Sequence, residues 1–220
     1  MTNTIADLET SDLILVTGSN TTENHPVLST FIKRAALKGK KVYVVDPRRI
    51  KLADLAEKWL RPYPGTDIAW LNGLMHVIIK EDLHDKTFIE ERTENFEAVR
   101  ETVEAYTPER VEKITGIASE DIIELAREFA GAPAAAICYC MGITQHTCGT
   151  DNVKSLANLS MLCGHLGKPG GGVNPLRGQN NVQGACDMGG LPNVFPAYQA
   201  VSSDEARQVF EKSWRSEEHT

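Results

Sequence analysis

Cysteine is scarce in this chain, and what there is stands in no metal-binding spacing. The five cysteines, Cys138, Cys140, Cys148, Cys163 and Cys186, include no Cys-x-x-Cys pair. Neither a zinc nor an iron–sulfur site follows from them, no residue is assigned as a metal ligand, and the odd number argues against a disulfide framework. Buried reduced thiols are the plainer expectation, and with them a reducing, cytoplasmic compartment. Also missing is any apolar run long enough to span a membrane. Met1-Thr2-Asn3-Thr4 lacks the basic and apolar regions of a signal peptide. Positive charge is in deficit: 23 Lys and Arg against 30 Asp and Glu leave a net charge of −7, which disfavours a nucleic-acid partner. Neither Gly-x-Gly-x-x-Gly nor a P-loop lysine motif occurs, so simple NAD or ATP binding is poorly supported. What remains is an ordinary globular composition, 41% hydrophobic and 24% charged over 220 residues, enough for one or two modest domains with a real core.

The first half alternates apolar with amphipathic segments. Leu13 to Gly18 reads as a short buried strand ending on glycine, and a polar loop from Ser19 to His25 leads to Pro26 and a helix over Val27–Leu37. Lys41 to Val45 is a second buried strand, ending at Asp46-Pro47-Arg48. Strand, helix, strand is a βαβ unit, which predicts a doubly wound, mostly parallel, Rossmann-like α/β sheet covered on both faces. Further helices are expected over Asp67–Ile79 and Phe88–Tyr106, from Thr107-Pro108-Glu109, and over Glu120–Phe129 with Ser119 as cap. Ala134–Tyr139 is another buried strand, Asn152–Cys163 another helix, and Asp204–Trp214 the last. From Gly167 to Pro192 the chain is rich in glycine, proline and amides without any period, and is read as a functional loop. These patterns divide the chain into an α/β region over residues 1–130 and a strand–helix unit with its glycine-rich loop over 131–214. Residues 215–220, Arg-Ser-Glu-Glu-His-Thr, match the in-frame translation of a common sequencing-adapter string and are set aside as a non-native tail.

Three strand-to-loop junctions stand out: Gly18–Pro26, Asp46–Arg49 and Met141–Thr144. Ligands of open parallel sheets sit outside the carboxyl ends of the strands, and a helix start after a glycine-bearing loop offers backbone N–H groups to phosphate. Asp46 stands where an acid takes ribose hydroxyls, or equally the N1 and N2 donors of guanine. It also suits a cap or a turn. Arg177 lies alone among glycines and carboxamides in Asn174-Pro175-Leu176-Arg177-Gly178-Gln179-Asn180-Asn181-Val182-Gln183-Gly184. A guanidinium fork matches a small planar carboxylate, although a solvated surface arginine would look the same.

The stretch Arg177 to Gly189 resembles the signature loop of molybdenum- and tungsten-dependent formate dehydrogenases in the dimethyl sulfoxide reductase superfamily. Gly18-Ser19-Asn20 with His25-Pro26, Val45-Asp46-Pro47-Arg48, Pro64-Gly65-Thr66-Asp67 and Met141-Gly142-Ile143-Thr144-Gln145 fit the same family in the same order, and the likeness covers nearly all of residues 1–214. The resemblance implies an oxidoreductase that turns formate into carbon dioxide at a bis-molybdopterin guanine dinucleotide centre with molybdenum or tungsten. By the same resemblance Asn20, Asp46, Arg48 and Asp67 serve the nucleotide portions, Gly18 and Gly65 join them in binding the cofactor, Met141, Gly142 and Gln145 line the cofactor channel, and Arg177 orients formate with Gln179 near it. The family's iron–sulfur cysteines and its metal-binding cysteine or selenocysteine are not among these residues. The chain is therefore expected to be an inactive fragment of a larger multidomain protein, whose 4Fe–4S cluster lies in a missing N-terminal part. The implied electron partners are diaphorase, ferredoxin-like or hydrogenase subunits. Another molybdopterin oxidoreductase, such as a nitrate reductase, and a non-catalytic cofactor-binding or assembly module are the alternative readings.

Overall fold

A computed structural model describes residues 1–215. Residues 216–220, nearly all of the suspected adapter-encoded tail, lie outside the described residues. The chain forms two compact units, residues 1–176 and residues 177 onward.

The first unit is built on a five-stranded sheet. Strand β1 (Leu13–Thr17) runs into a short helix α1 (Thr21–Asn24) and then α2 (Pro26–Leu37), which returns the chain to β2 (Lys41–Val45). A one-turn helix leads to β3 (Lys58–Leu60). Four of the next helices follow without a strand: α3 (Asp67–Lys80), α4 (Lys86–Arg92), α5 (Phe96–Glu104) and α6 (Pro108–Thr115). After α7 (Ser119–Gly131) come β4 (Ala135–Tyr139), the single turn α8 (Met141–Thr144), α9 (Gly149–Leu162) and β5 (Gly172–Pro175). The strand order is β3-β2-β1-β4-β5, and every pairing is parallel. Because β2 and β3 are added on one side of β1, and β4 and β5 on the other, the winding reverses between β1 and β4.

The near-continuous apolar runs of β1, β2 and β4 follow from burial on both faces. Leu13, Leu15, Tyr43, Ala135 and Ile137 face a core with Trp70, Leu74, Leu125, Phe129, Leu156 and Leu159 from α3, α7 and α9. The alternate residues Ile14, Val16, Val42, Val44, Ala136 and Cys138 face a second core with Leu28, Ile32 and Ala35 of α2. The doubly wound α/β expectation is met.

Several sequence boundaries need correction. The helix expected over 88–106 is two helices, because Asn95 takes a left-handed φ of 58° and opens α5 afresh. Asparagine tolerates that conformation better than other residues with a side chain. Ser119 is the first residue of α7 rather than its cap, and its hydroxyl is turned to the Glu112 carboxylate. The stretch expected to be structureless from Gly167 contains β5, paired with β4, and the short helix α10 (Val182–Asp187). The division drawn at residue 130 falls in the last turn of α7, inside the first unit.

The second unit holds α10, a small antiparallel pair β6 (Val194–Phe195) and β7 (Gln199–Ala200), and α11 (Asp204–Trp214). Three of its aromatic rings cluster: Phe195 stacks on Phe210 at 4.7 Å, and Trp214 stands 4.8 Å from Phe210. Asn181 caps α10 by accepting from the Gly184 N–H at 3.2 Å.

A candidate nucleotide site at the switch point of the sheet

In an open parallel sheet the loops leaving neighbouring strands on either side of the reversal diverge to opposite faces, and the crevice between them receives ligands. Here those strands are β1 and β4. A cavity of about 320 Å³ opens there, lined by residues that follow β1 (Gly18, Ser19, Asn20, Asn24), β2 (Asp46, Pro47, Arg48), β3 (Pro62, Tyr63, Pro64, Gly65, Asp67) and β4 (Cys140, Met141, Gly142, His146).

Two glycines set its floor. The Gly142 N–H donates to the Gly18 carbonyl at 3.0 Å. Gly18 has a φ of +56°, and a Cβ on it would lie 2.7 Å from the Gly142 carbonyl carbon. A Cβ on Gly142 would lie 2.5 Å from the Gly18 Cα. No side chain fits between these backbones, so the two loops cross with bare main chain.

Around the floor stand polar groups without partners. Ser19 is buried, and its Oγ has no hydrogen bond; the buried Oδ1 of Asn20 has none either, although its amide nitrogen donates to Glu23 at 2.9 Å. Buried polar atoms are normally paired, and orphans lining a crevice mark a ligand's place. Asp46, 4% exposed, accepts from the Arg48 N–H at 2.8 Å. Burial raises its carboxyl above the ordinary range, opposed by the Arg48 N–H and guanidinium. Asp67, at the start of α3, is raised in the same way by burial, with the Trp70 and His146 contacts opposing and Asp46 adding to the rise. His146 Nε2 is 2.9 Å from the Gly142 carbonyl and 3.8 Å from an Asp67 oxygen. Two carboxylates facing one crevice, Asp46 buried and Asp67 partly buried, suit a ligand that brings N–H or O–H donors to both.

Of the cofactor residues singled out in the sequence, Gly18, Asn20, Asp46, Arg48, Gly65, Asp67, Met141 and Gly142 meet at this cavity. Gln145 is outside the lining, exposed at the end of α8. Arg177 and Gln179 are exposed residues of the second unit. Sequence reasoning missed Tyr63, Cys140 and His146. Tyr63 follows a three-residue edge strand, and its ring would meet a Cβ on Gly116 at 2.8 Å. Nothing in the spacing of Cys140 or His146 shows that the β4 loop folds back over Gly18.

Comparison with known proteins agrees with this architecture. The chain is 52% identical over 98% of its length to the F420-dependent formate dehydrogenase 1 subunit alpha of Methanococcus maripaludis, covering 32% of that protein. It is 48% identical over 97% of its length to formate dehydrogenase H of Escherichia coli, covering 30% of it. The chain thus spans about a third of the length of the curated relatives it matches. Among solved structures, acetylene hydratase from Pelobacter acetylenicus is similar with a TM-score of 0.69 and 31% identity, over 75% of this chain and 22% of that one. A family model described as molybdopterin oxidoreductase matches residues 1–214, and the chain belongs to that family.

Proposed function

We propose that residues 1–214 work as part of a formate dehydrogenase catalytic subunit, which oxidises formate to carbon dioxide at a bis-molybdopterin guanine dinucleotide centre with molybdenum or tungsten. Family membership implies a molybdopterin cofactor; the guanine dinucleotide form is the further step. The observation that carries the reading is the crevice at the β1/β4 reversal, where the family-like motifs converge on unpaired Ser19 and Asn20 atoms and the Asp46 and Asp67 carboxylates. The formate dehydrogenase relatives add the substrate class.

The residues fit such a group. Ser19 and Asn20 donate or accept at the phosphates and ribose, Asp46 or Asp67 takes the paired donors of guanine, and the bare backbone at Gly18 and Gly142 allows close approach. Arg48, Gly65 and Met141 complete the cradle. When bound, the metal centre supplies the two-electron redox chemistry. Arg177 grips formate through its fork, and its fixed charge holds the anion in reactive geometry, with the Gln179 amide beside it. A 4Fe–4S cluster in another part of the subunit would supply the electron path to a diaphorase, ferredoxin-like or hydrogenase partner. The free thiols fit a cytoplasmic setting, and among the described residues no helix is long and apolar enough to cross a membrane.

The test is steady-state kinetics of Arg177→Lys and Arg177→Met in the full catalytic subunit. Lysine keeps the charge and loses the fork; methionine loses both. A charge-assisted pair of about 1.5–3 kcal/mol corresponds to a loss of roughly 10- to 150-fold in kcat/KM. The expected result is a weakened lysine variant and a nearly inactive methionine variant, both with full metal and guanine content. Wild-type kcat/KM in Arg177→Met would remove this residue from the active site.

A further inference from the structure

Leu176 is held from both sides of its peptide. Its N–H donates to the Tyr139 carbonyl at 2.7 Å, and its carbonyl accepts from the Cys140 thiol at 2.7 Å. Leu176 and Cys140 are both buried, 4% and 8% exposed. Tyr139 ends β4, and Cys140 opens the loop that carries Met141 and Gly142 into the nucleotide cavity. The residue after Leu176 is Arg177, where the second compact unit begins.

We propose that Cys140 is a positioning residue for Arg177. Its thiol fixes the Leu176 carbonyl, and so the root of the arginine loop, to the same loop that lines the nucleotide cavity. The inference rests on the reading of Arg177 as the formate-binding residue. A thiol is a weak donor, but the Leu176 carbonyl is buried and has few other ways to be satisfied. Removing the donor leaves an unpaired acceptor beside the arginine and loosens the chain that carries it. A serine hydroxyl can donate to the same carbonyl, at an ordinary O–H···O distance of about 2.5–3.0 Å, so serine keeps the tie. Valine fills the space without a donor, which separates hydrogen bonding from packing.

The experiment uses the full catalytic subunit as holoenzyme, with Cys140→Ala, Cys140→Val and Cys140→Ser beside Arg177→Met. Formate kinetics, metal and guanine-nucleotide content, and hydrogen exchange at the Leu176 and Arg177 amides are measured together. The alanine and valine variants are expected to lose roughly 2- to 10-fold in kcat/KM for formate, mainly through KM. Their amides at 176 and 177 exchange faster, the loss persists when activity is normalised to bound cofactor, and serine recovers both kinetics and protection. Unchanged formate kinetics in Cys140→Val, with Arg177→Met inactive, overturns the inference. A loss that disappears when activity is normalised to bound cofactor also overturns it, because Cys140 then acts only through the cavity it lines. If the alanine variant fails to fold, the valine and serine pair decides alone. Wild-type kinetics in Arg177→Met would sink the formate reading itself, and the Cys140 inference with it.

Discussion

His165 shows how one buried side chain links stability to pH. It follows α9, is 1% exposed, and sets its Nε2 2.8 Å from the Phe129 carbonyl while its ring meets the Phe129 ring edge-on at 5.0 Å. Burial pushes its pKa down to about 4, with Lys168 adding to the fall. Between the ordinary value near 6.5 and about 4, the unfolded chain binds the proton and the folded chain refuses it. Its contribution to stability is therefore complete above about pH 6.5 and is lost as pH falls through that window. We predict that His165 removes about 2 kcal/mol between pH 7 and pH 5, and that His165→Gln, which keeps a donor for Phe129, shows no such loss. Urea unfolding at both pH values measures it; equal pH dependence in the two proteins would show that this histidine is not the source. The sequence gives no hint of this role, because a lone histidine after Cys163-Gly164 is indistinguishable from a surface one until Phe129 is packed against it. Asp46 was legible for the opposite reason. An acid directly after a four-residue apolar run, Val42 to Val45, has its place set by the strand alone.

Among the elements, the central strands and the amphipathic helices could be read, and the edges could not. β1, β2 and β4 are apolar runs bounded by turn residues, a pattern that burial on two faces enforces. β5 is Gly172-Val173-Asn174-Pro175, with no strand pattern of its own; pairing with β4 makes it a strand, and its proline is tolerated because the strand is at an edge. The break between α4 and α5 was hidden because both helices carry charged, amphipathic sequence that continues through Glu94 and Asn95. Each new start is marked locally instead. Asp85 caps α4 by accepting from the Phe88 N–H at 2.9 Å. Asp85→Ala is expected to cost about 1 kcal/mol, seen in urea unfolding and as faster exchange in the first turn of α4. Unchanged exchange there would show that the cap contributes nothing.

For the whole molecule, topology decides which motifs meet. Four short motifs spread from Gly18 to Gly142 look unrelated along the chain. They converge because each follows the carboxyl end of a parallel strand, and because the winding reverses between β1 and β4. The order of the strands was not legible, since β3 is too short and β5 too irregular to place from pattern. The crossing of Gly18 and Gly142 was invisible for the same reason: it is a contact between backbones 124 positions apart in the chain. The central claim is that this crossing is the floor of a guanine-dinucleotide site. Its most direct test is the guanine-nucleotide and metal content of the full catalytic subunit carrying Gly142→Val, beside Gly131→Ala, where an added Cβ meets nothing within 4 Å. Forcing a side chain against the Gly18 backbone costs about 1–3 kcal/mol, which weakens cofactor binding by roughly 5- to 150-fold. The account predicts a folded Gly142→Val protein, verified by circular dichroism, with guanine nucleotide and metal well below the wild-type level, and full loading in Gly131→Ala. Wild-type loading in Gly142→Val would contradict it.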